Sequence, residues 1–369
     1  MRFPRYFLGL FTAVGLTFVG CTDEKKPADK ATEATATKDA SVNAKDAEKA
    51  PAAAAASADS VHPDCWAARK DGTAESFAVG GRNFERKGST LNLKTDDADD
   101  EFVIGQISDV KDFTPENRAN VKVALKWFTE QKVDAIALSG DLGETQASIE
   151  NVLRTVAAPG LPVLAIIGNR ECRDHFTKAI DNVQKEHKNV VNMNRVRVFN
   201  ADDASIVSVP GYFNRSYTHC AEGCVYGPEQ VKTLDGFAED ASAPVRVLLG
   251  HGPPKMEGAL GLDRIHEGVN VGDPALAAYL KNGKYPFGLF GNIQEAGGYA
   301  SDLSGKNRLE KNVFVDSLYL NPGPIDSVRW QMLDGSESLG MAGILRIKGK
   351  QASYDIYRIR KGEAKVEAN

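Results

Sequence analysis

The sequence predicts an α/β fold in which a mixed sheet is covered by helices. From Glu101 onward, short apolar runs alternate with amphipathic helical segments, a pattern typical of parallel strands joined by helices. Two late apolar runs flank Gly349-Lys350, which predicts an antiparallel hairpin added to that sheet. Hydrophobic residues make up 42% of the 369 residues and charged residues 26%, which are ordinary values for a soluble protein. The net charge of −5 gives no support to a nucleic-acid binder driven by phosphate neutralisation, so no nucleic-acid partner is expected.

The N-terminus has the pattern of an export signal. Arg2 and Arg5 precede an apolar run from Tyr6 to Gly20, and Cys21 follows. A charged start, a short apolar stretch and small residues at the cleavage point predict a signal peptide over residues 1–20. The run from Phe18 to Cys21 resembles a bacterial lipobox, which implies a lipid on Cys21, contact with the membrane through that lipid, and a place in the cell envelope, on the periplasmic side or at the outer membrane. The alternative is an anchoring helix that is never cleaved.

Residues 21–61 are expected to form a tether. They are rich in Ala, Lys, Asp, Thr and Ser and contain no aromatic residue, so they cannot bury enough apolar surface to offset the entropy of ordering. Residues 62–100 are interpreted as an N-terminal extension, and residues 101–369 as the main domain.

Four cysteines remain once Cys21 is assigned to lipid. An even number in an exported protein favours two disulfides, with three connectivities open. The simplest expectation joins Cys220 to Cys224, four residues along the chain, and leaves Cys65 to pair with Cys172.

The main domain is predicted element by element from its apolar periodicity. Thr114-Pro115-Glu116 starts the first helix, with Thr as N-cap and Pro in the first turn. Further helices are predicted over Thr145–Ala157, from Asp174 to His187, and from Pro228 to Ala241. The predicted strands are Phe102–Ile107, Ala135–Leu138, Leu161–Ile167, Ser205–Val209, Val245–Leu249, Phe287–Phe290, Val313–Leu320, Gly343–Ile347 and Ser353–Ile359.

Polar groups follow five of these strands. Because sites in open α/β sheets form beyond the carboxyl ends of the strands, these groups are expected to converge. Four of the five groups contain a glycine at or near the end of the strand. The groups are Ser108-Asp109-Val110-Lys111, Ser139-Gly140-Asp141, Gly168-Asn169-Arg170-Glu171, Gly250-His251-Gly252-Pro253 and Gly291-Asn292-Ile293-Gln294.

The series resembles the calcineurin-like metallophosphoesterases, whose motifs run DxH, GD, GNH, H and GHxH. The resemblance covers Glu101 to Asn321 and implies a four-layer αββα sandwich with mixed sheets. It also implies two divalent metals that drive a hydroxide onto phosphorus. By resemblance, Asp109 is the first metal ligand, Asp141 bridges both metals, and Asn169 and His251 serve the second metal.

Four positions depart from the family motifs. Lys111 stands in the histidine slot of DxH, Arg170 replaces the GNH histidine, and Asn292 and Gln294 replace both histidines of GHxH. Lysine and arginine carry positive charge at neutral pH and offer no lone pair to a metal. We therefore expect Lys111 and Arg170 to replace the missing metal charge beside Asp109 and Asp141, and the first metal site to be lost.

The second metal site is expected to be weak or absent. Its residual ligands by resemblance are Asp141, Asn169, His251 and Asn292, a donor set suited to one manganese, magnesium or zinc ion at most. The residues that match catalytic positions of the family motifs are Asp109, Asp141, Asn169, Arg170 and His251.

Three functions stay open at this point. The chain is a non-catalytic or weakly active relative that binds a partner, or it uses Lys111 and Arg170 to bind a phosphorylated or anionic small molecule in the former cleft. The alternative is an active phosphohydrolase with a reduced metal site.

The remaining polar and aromatic residues have simpler interpretations. Glu171 and His175 are interpreted as a surface pair, and Trp330 as core. Either a wall of the substrate site or a surface loop is expected for Tyr212, Arg215 and Tyr217.

Overall fold

The computed structural model describes residues 61–79, 81–95 and 99–366. The predicted signal peptide, Cys21 and almost all of the tether lie outside these residues. Within the described ranges, no helix has the length and apolarity needed to cross a membrane.

Seventeen strands of the described chain form two large sheets and a small hairpin. The strands are β1 Ala74–Val79, β2 Arg82–Lys87, β3 Thr90–Leu93, β4 Glu101–Ile107, β5 Ala135–Leu138, β6 Val163–Ala165, β7 Val190–Asn192, β8 Val198–Asn200, β9 Ala204–Val209, β10 Val245–Gly250, β11 Phe287–Leu289, β12 Tyr299–Ser301, β13 Leu318–Asn321, β14 Trp330–Gln331, β15 Glu337–Ser338, β16 Met341–Lys348 and β17 Gln351–Arg358. The nine-stranded sheet has the order β1-β2-β3-β8-β9-β10-β11-β13-β12, and the six-stranded sheet β17-β16-β4-β5-β6-β7.

Six α-helices of the described chain pack outside the sheets. They are α1 Pro115–Glu130, α2 Gln146–Ala157, α3 Arg173–Val183, α4 Pro228–Lys232, α5 Leu234–Asp240 and α6 Pro274–Leu280. Thr114 caps α1 as predicted, because its side chain accepts a hydrogen bond from the backbone N–H of Asn117. The single helix predicted from Pro228 to Ala241 is wrong, since the chain divides into α4 and α5 at Thr233, whose hydroxyl bonds the carbonyl of Gln230.

The layers follow from side-chain alternation along the buried strands. In β4, Phe102 and Ile104 pack into the core between the two sheets, whereas Val103 packs into the core under the helices. In β10, Val247 faces the inter-sheet core and Leu248 the helices α4–α6. Because both faces of each central strand are covered, the strands read as unbroken apolar runs. The result is the predicted four-layer αββα sandwich.

The additions to the sheets are partly as predicted. The β16–β17 hairpin turns at Gly349-Lys350, and β16 pairs antiparallel with β4, which confirms the antiparallel extension. The extension over 62–100 forms β1–β3, and β3 pairs with β8, so this segment belongs to the nine-stranded sheet. The strand predicted over Val313–Leu320 is shorter, Leu318–Asn321, and Val315 forms only an isolated bridge to Ala352.

Candidate functional site

The five polar groups meet where the central strands of both sheets end. Strands β4, β5 and β6 are parallel neighbours in one sheet, and β9, β10 and β11 in the other. Backbone hydrogen bonds join the loops directly: the N–H of Asp109 donates to Gly140, the N–H of Lys111 to Asp141, and the N–H of Gly291 to His251. The predicted convergence is confirmed.

Backbone strain is concentrated in these loops. Of the described non-glycine residues, six have positive φ, and four of them are motif positions: Asp109 at 56°, Lys111 at 62°, Asp141 at 57° and Asn292 at 65°. This left-handed region is costly for residues with a Cβ and persists where the surroundings over-determine it, commonly at sites. The surroundings of these four residues therefore impose their backbone conformation.

Two motif glycines are required by close approach. A Cβ on Gly168 would lie 2.3 Å from Asp141 Oδ1, and one on Gly291 would lie 1.8 Å from Ser108 Oγ. Any larger residue at these points would displace the acids or their donors, so the glycine pattern follows from packing around the cleft.

Asp109 is buried and accepts hydrogen bonds from three described residues. Its Oδ2 accepts from Ser108 Oγ at 2.5 Å and from the N–H of Asn292 at 3.1 Å. Its Oδ1 accepts from Gln294 Nε2 at 2.7 Å. Gln294, which the resemblance places at a histidine position, thus supplies a hydrogen bond to Asp109.

Asp141 is the most heavily contacted acid of the cleft. Its Oδ1 accepts from the N–H groups of Asn169 and Arg170, each at 3.0 Å, and lies 3.2 Å from His251 Nε2. Its Oδ2 lies 3.5 Å from Arg170 Nε, whose guanidinium also donates to Glu144 at 2.9 Å. Burial by itself would raise the pKa of Asp141, but His251 and Arg170 outweigh it and hold that pKa well below its usual value.

His251 carries a positive charge in this arrangement. Its Nδ1 lies 2.7 Å from the carbonyl of Ser139, and its Nε2 lies 2.7 Å from Asn169 Oδ1 and 3.2 Å from Asp141 Oδ1. All three partners are acceptors, so both ring nitrogens must carry hydrogen. Burial lowers the pKa of His251, and the carboxylate of Asp141 more than offsets it, so that the pKa rises to about 9.

Lys111 is held by a carboxylate that the sequence analysis missed. Its Nζ lies 3.2 Å from Asp326 Oδ2 and 4.0 Å from the centre of the Trp330 ring. Trp330 Nε1 donates to the other oxygen of Asp326. Burial raises the pKa of Asp326 to about 6, Lys111 opposes that rise, and Asp109 adds to it. Trp330 is half-buried and packs against the inter-sheet core, as predicted in part, and it also covers the Lys111 ammonium.

A loop over residues 211–226 covers the other side of the cleft. Asn169 Nδ2 donates to the carbonyl of Tyr217 at 2.6 Å, and Asn292 Nδ2 donates to the hydroxyl of Tyr212 at 2.9 Å. The backbone N–H of His219 donates to the carbonyl of Asn169. Tyr212 is buried, so it seals the cleft instead of forming an exposed substrate wall, while Arg215 bonds carbonyls within its own loop.

The disulfides attach this loop to the rest of the domain. All four predicted cysteines are paired, but the expected pairing is wrong: the bonds are Cys65–Cys224 and Cys172–Cys220. Cys224 is buried against the helical core, whereas Cys220 lies at the turn of the loop beside the start of α3. Their side chains therefore face different partners despite being four residues apart.

Glu171 is a further buried acid, contrary to its interpretation as part of a surface pair. It accepts from the N–H groups of Leu142 at 2.5 Å and Gly168 at 2.9 Å. Burial and the charge of Asp141 raise the pKa of Glu171 to about 7. His175 contacts the carbonyl of Glu144 instead. The only sequence signal for Glu171 was its position within a motif loop.

The donor set does not fit two metals. The oxygens of Asp109 and Asp141 already accept hydrogen bonds, and lysine, arginine, asparagine and glutamine occupy four histidine slots. Within the described residues, one group of three acids, cysteines or histidines has its ligand atoms within 4.8 Å of one another. That group is Cys172, Cys220 and Glu222, in which both cysteines are tied up in a disulfide.

Solved structures share this fold at low sequence identity. One crystal structure aligns with a TM-score of 0.51 at 11% identity, covering 70% of this chain and 100% of that chain. The protein TT1561 of Thermus thermophilus aligns at 16% identity and a TM-score of 0.47, over 70% of this chain and 99% of its own. A dimetal phosphatase from Danio rerio aligns at 10% identity and a TM-score of 0.45, over 70% and 99%.

No protein-family model matches the sequence, and no curated protein matches it. The two facing sheets and their outer helices form a four-layer αββα sandwich, and the first of these solved structures shares this fold. The fold by itself does not define the function, which depends on the residues in the cleft.

Proposed function

We propose that this chain is a non-catalytic or weakly active protein of the metallophosphoesterase fold that serves as a binding or scaffolding domain at the bacterial cell envelope. The observation that carries the proposal is the pairing inside the cleft. The two cations in histidine slots point inward, with Lys111 8% and Arg170 13% exposed at the side chain, and each forms an ion pair with a buried carboxylate.

Three cations of the cleft offset much of the negative charge of its buried acids. Lys111, Arg170 and the His251 imidazolium face the buried acids Asp109, Asp141 and Asp326. A buried acid left without a counter-charge is strongly unfavourable, so these cations stabilise the acids that a metal would otherwise neutralise. A divalent ion would have to enter beside three existing positive charges.

For phosphoester hydrolysis, the cleft also lacks a group that transfers a proton. Arg170 occupies the slot of the GNH histidine, and a guanidinium does not give up its proton near neutral pH. With two metals unsupported and this histidine absent, neither the nucleophile nor the leaving group is activated.

Anion binding in the former cleft has little support. Lys111 and Arg170 are already paired with acids, and loop 211–226 and Trp330 cover them. The binding role therefore belongs to the outer surface of the domain.

Metal content and turnover of the purified full chain test the proposal. We expect no stoichiometric manganese, zinc or magnesium, and no hydrolysis of an aryl phosphate ester with added Mn²⁺ above that of Asp141→Ala. Turnover that Asp141→Ala removes, together with bound metal, would refute the proposal and favour the reduced-site phosphohydrolase.

The envelope location is a separate part of the proposal. Two disulfides within the described residues support an oxidising compartment outside the cytoplasm. The lipobox resemblance over Phe18–Cys21 supplies the anchor, a lipid on Cys21.

A further inference from the structure

The two disulfides of the domain differ in their exposure. Cys65 is 6% and Cys224 1% exposed, and both belong to the apolar core under the helices. Cys172 and Cys220 are half-buried, and the neighbouring Glu222 is exposed. Because disulfide exchange requires a thiolate to reach one of the two sulfurs, a reductant in solvent attacks a half-buried bond more readily than a bond in the core.

Cys172 is placed to leave as a thiolate. It occupies the N-cap position of α3, and its side chain accepts no capping hydrogen bond from the described residues. A thiolate released at this position lies at the positive end of the helix dipole and can accept from amides of the first turn, which stabilises it. Since a more stable thiolate is a better leaving group, we expect Cys220 to be the sulfur that is attacked.

Cys220 gains a hydrogen-bond partner when it is reduced. Glu222 Oε2 lies 3.5 Å from Cys220 Sγ. In the disulfide this sulfur carries no hydrogen to donate, whereas a Cys220 thiol can donate its S–H to the carboxylate. The reduced pair is therefore stabilised at both of its cysteines, which makes the bond easier to reduce.

The same disulfide joins loop 211–226 to the start of α3. Backbone hydrogen bonds accompany it, from the N–H of His219 to the carbonyl of Asn169 and from the N–H of Arg173 to the carbonyl of Glu222 at 3.4 Å. His219 and Glu222 are exposed, and exposed hydrogen bonds contribute little net stability because water competes for the same groups. The covalent bond is therefore the main attachment at this turn of the loop.

We propose that the Cys172–Cys220 bond is a redox switch, which a dithiol reductant opens selectively to release loop 211–226 from the cleft. A thiolate of the reductant bonds to Cys220 Sγ while the disulfide breaks, and Cys172 leaves as a thiolate. The second thiol of the reductant then attacks the reductant's own sulfur in the mixed disulfide and expels Cys220. Two electrons and two protons leave the dithiol, which becomes a disulfide. Cys65–Cys224 stays closed and keeps the other end of the loop attached.

Graded reduction of the folded full chain with dithiothreitol tests the selectivity. Free thiols are trapped with iodoacetamide and located by peptide mass spectrometry. We expect Cys172 and Cys220 to be alkylated at least about tenfold faster than Cys65 and Cys224, which serve as the internal control.

A pair of variants tests the role of the carboxylate beside Cys220. In a buffer of reduced and oxidised dithiothreitol, Glu222→Ala should shift the equilibrium of the Cys172–Cys220 bond about threefold towards the disulfide. Glu229→Ala, which removes another exposed carboxylate, is the matched control and should leave that equilibrium unchanged.

Trypsin cleavage after the exposed Arg215 measures the release of the loop. In the selectively reduced and alkylated chain, and in Cys172→Ser with Cys220→Ser, this cleavage should be at least about tenfold faster than in the unreduced chain. Cleavage after Lys281, whose side chain is 69% exposed, should keep its rate. Equal alkylation rates of the four cysteines, an equilibrium unaffected by Glu222→Ala, or unchanged cleavage after Arg215 would each overturn the proposal. These outcomes do not depend on whether the cleft is catalytic.

Discussion

At the scale of single residues, buried acids of the cleft lie beside side-chain cations. Lys111 has a left-handed backbone, and its ammonium lies between Asp326 and the ring of Trp330. The Nε2 of His251 lies 2.7 Å from Asn169 Oδ1 and 3.2 Å from Asp141 Oδ1. Each side chain supplies locally the positive charge that its neighbouring acid requires.

The Lys111–Asp326 pair predicts a large coupling energy. Lys111→Met should lower the free energy of unfolding by about 3 kcal/mol, because it leaves Asp326 buried without a counter-charge. Adding Asp326→Asn should restore most of that loss, as denaturant unfolding of the two single variants and the double variant would show. Lys126→Met on α1, with its side chain 81% exposed, is the control and should change stability by less than about 0.5 kcal/mol. Additive losses in the double variant would contradict the pairing.

The charge on His251 predicts a fall in stability at alkaline pH. Its pKa is about 9 in the folded chain against an ordinary value of 6.5. The imidazolium therefore stabilises the fold fully below pH 6.5, and that contribution is lost as the pH rises through 9. The loss should be on the order of 3 kcal/mol between pH 7 and 9.5.

Urea unfolding at several pH values measures this effect. His251→Gln should be less stable at pH 7 and should lack the alkaline fall, whereas His187→Gln should retain it. Glu171, whose pKa is about 7, titrates mostly below this window. An alkaline fall of equal size in His251→Gln would show that another group causes it.

At the scale of elements, two covers close the cleft. Loop 211–226 bonds the Asn169 and Asn292 side chains, and the chain around Trp330 in β14 lies over Lys111. The Cys172–Cys220 bond ties the first cover to the start of α3, and Cys65–Cys224 ties it to the N-terminal extension. The cleft is therefore closed because of the way in which the two covers are attached to the rest of the domain.

The Cys172–Cys220 bond is predicted to keep loop 211–226 ordered. In a chain carrying Cys172→Ser and Cys220→Ser, hydrogen exchange should accelerate at the His219 amide, which bonds the carbonyl of Asn169. The free energy of unfolding should fall by about 4 kcal/mol, from the loss of a 48-residue constraint on the unfolded chain. Amides of α2 are the internal control and should keep their protection. Unchanged exchange at His219 would show that hydrogen bonds alone hold the loop.

At the scale of the whole molecule, the described residues form a domain with three large apolar cores. The two sheets bury one core between them and one beneath each helical layer. The extension over 62–100 is joined to this domain by β3 and by Cys65. We expect the preceding residues to connect the domain to the membrane through Cys21.

The proposed anchor predicts how the full chain distributes in a bacterial host. The unaltered chain should sediment with membranes, and Cys21→Ser should prevent lipid attachment and change that distribution or block processing. Mass spectrometry of the N-terminal peptide would detect the lipid directly. An unmodified Cys21 in the processed chain would contradict the anchor.

Local sequence determined much of this protein. Nine of the seventeen described strands, α1 and the β16–β17 hairpin follow from apolar periodicity and capping, because these depend on neighbouring residues. The other eight strands, β1–β3, β7, β8, β12, β14 and β15, were not predicted. The strand-end motifs also located Asp109, Asp141, Asn169 and His251, since parallel strands end at a common edge. The sequence also showed that Lys111, Arg170, Asn292 and Gln294 stand where the resemblance expects histidine.

Only the tertiary structure decided which groups the replacements meet. Asp326 lies 215 residues beyond Lys111, and no local pattern connects them. The disulfide pairing depends on the direction in which Cys220 and Cys224 face, and the burial of Glu171 depends on the packing of the motif loops. Such contacts arise from folding over long sequence separations, so the balance of charge in the cleft is a property of the assembled chain.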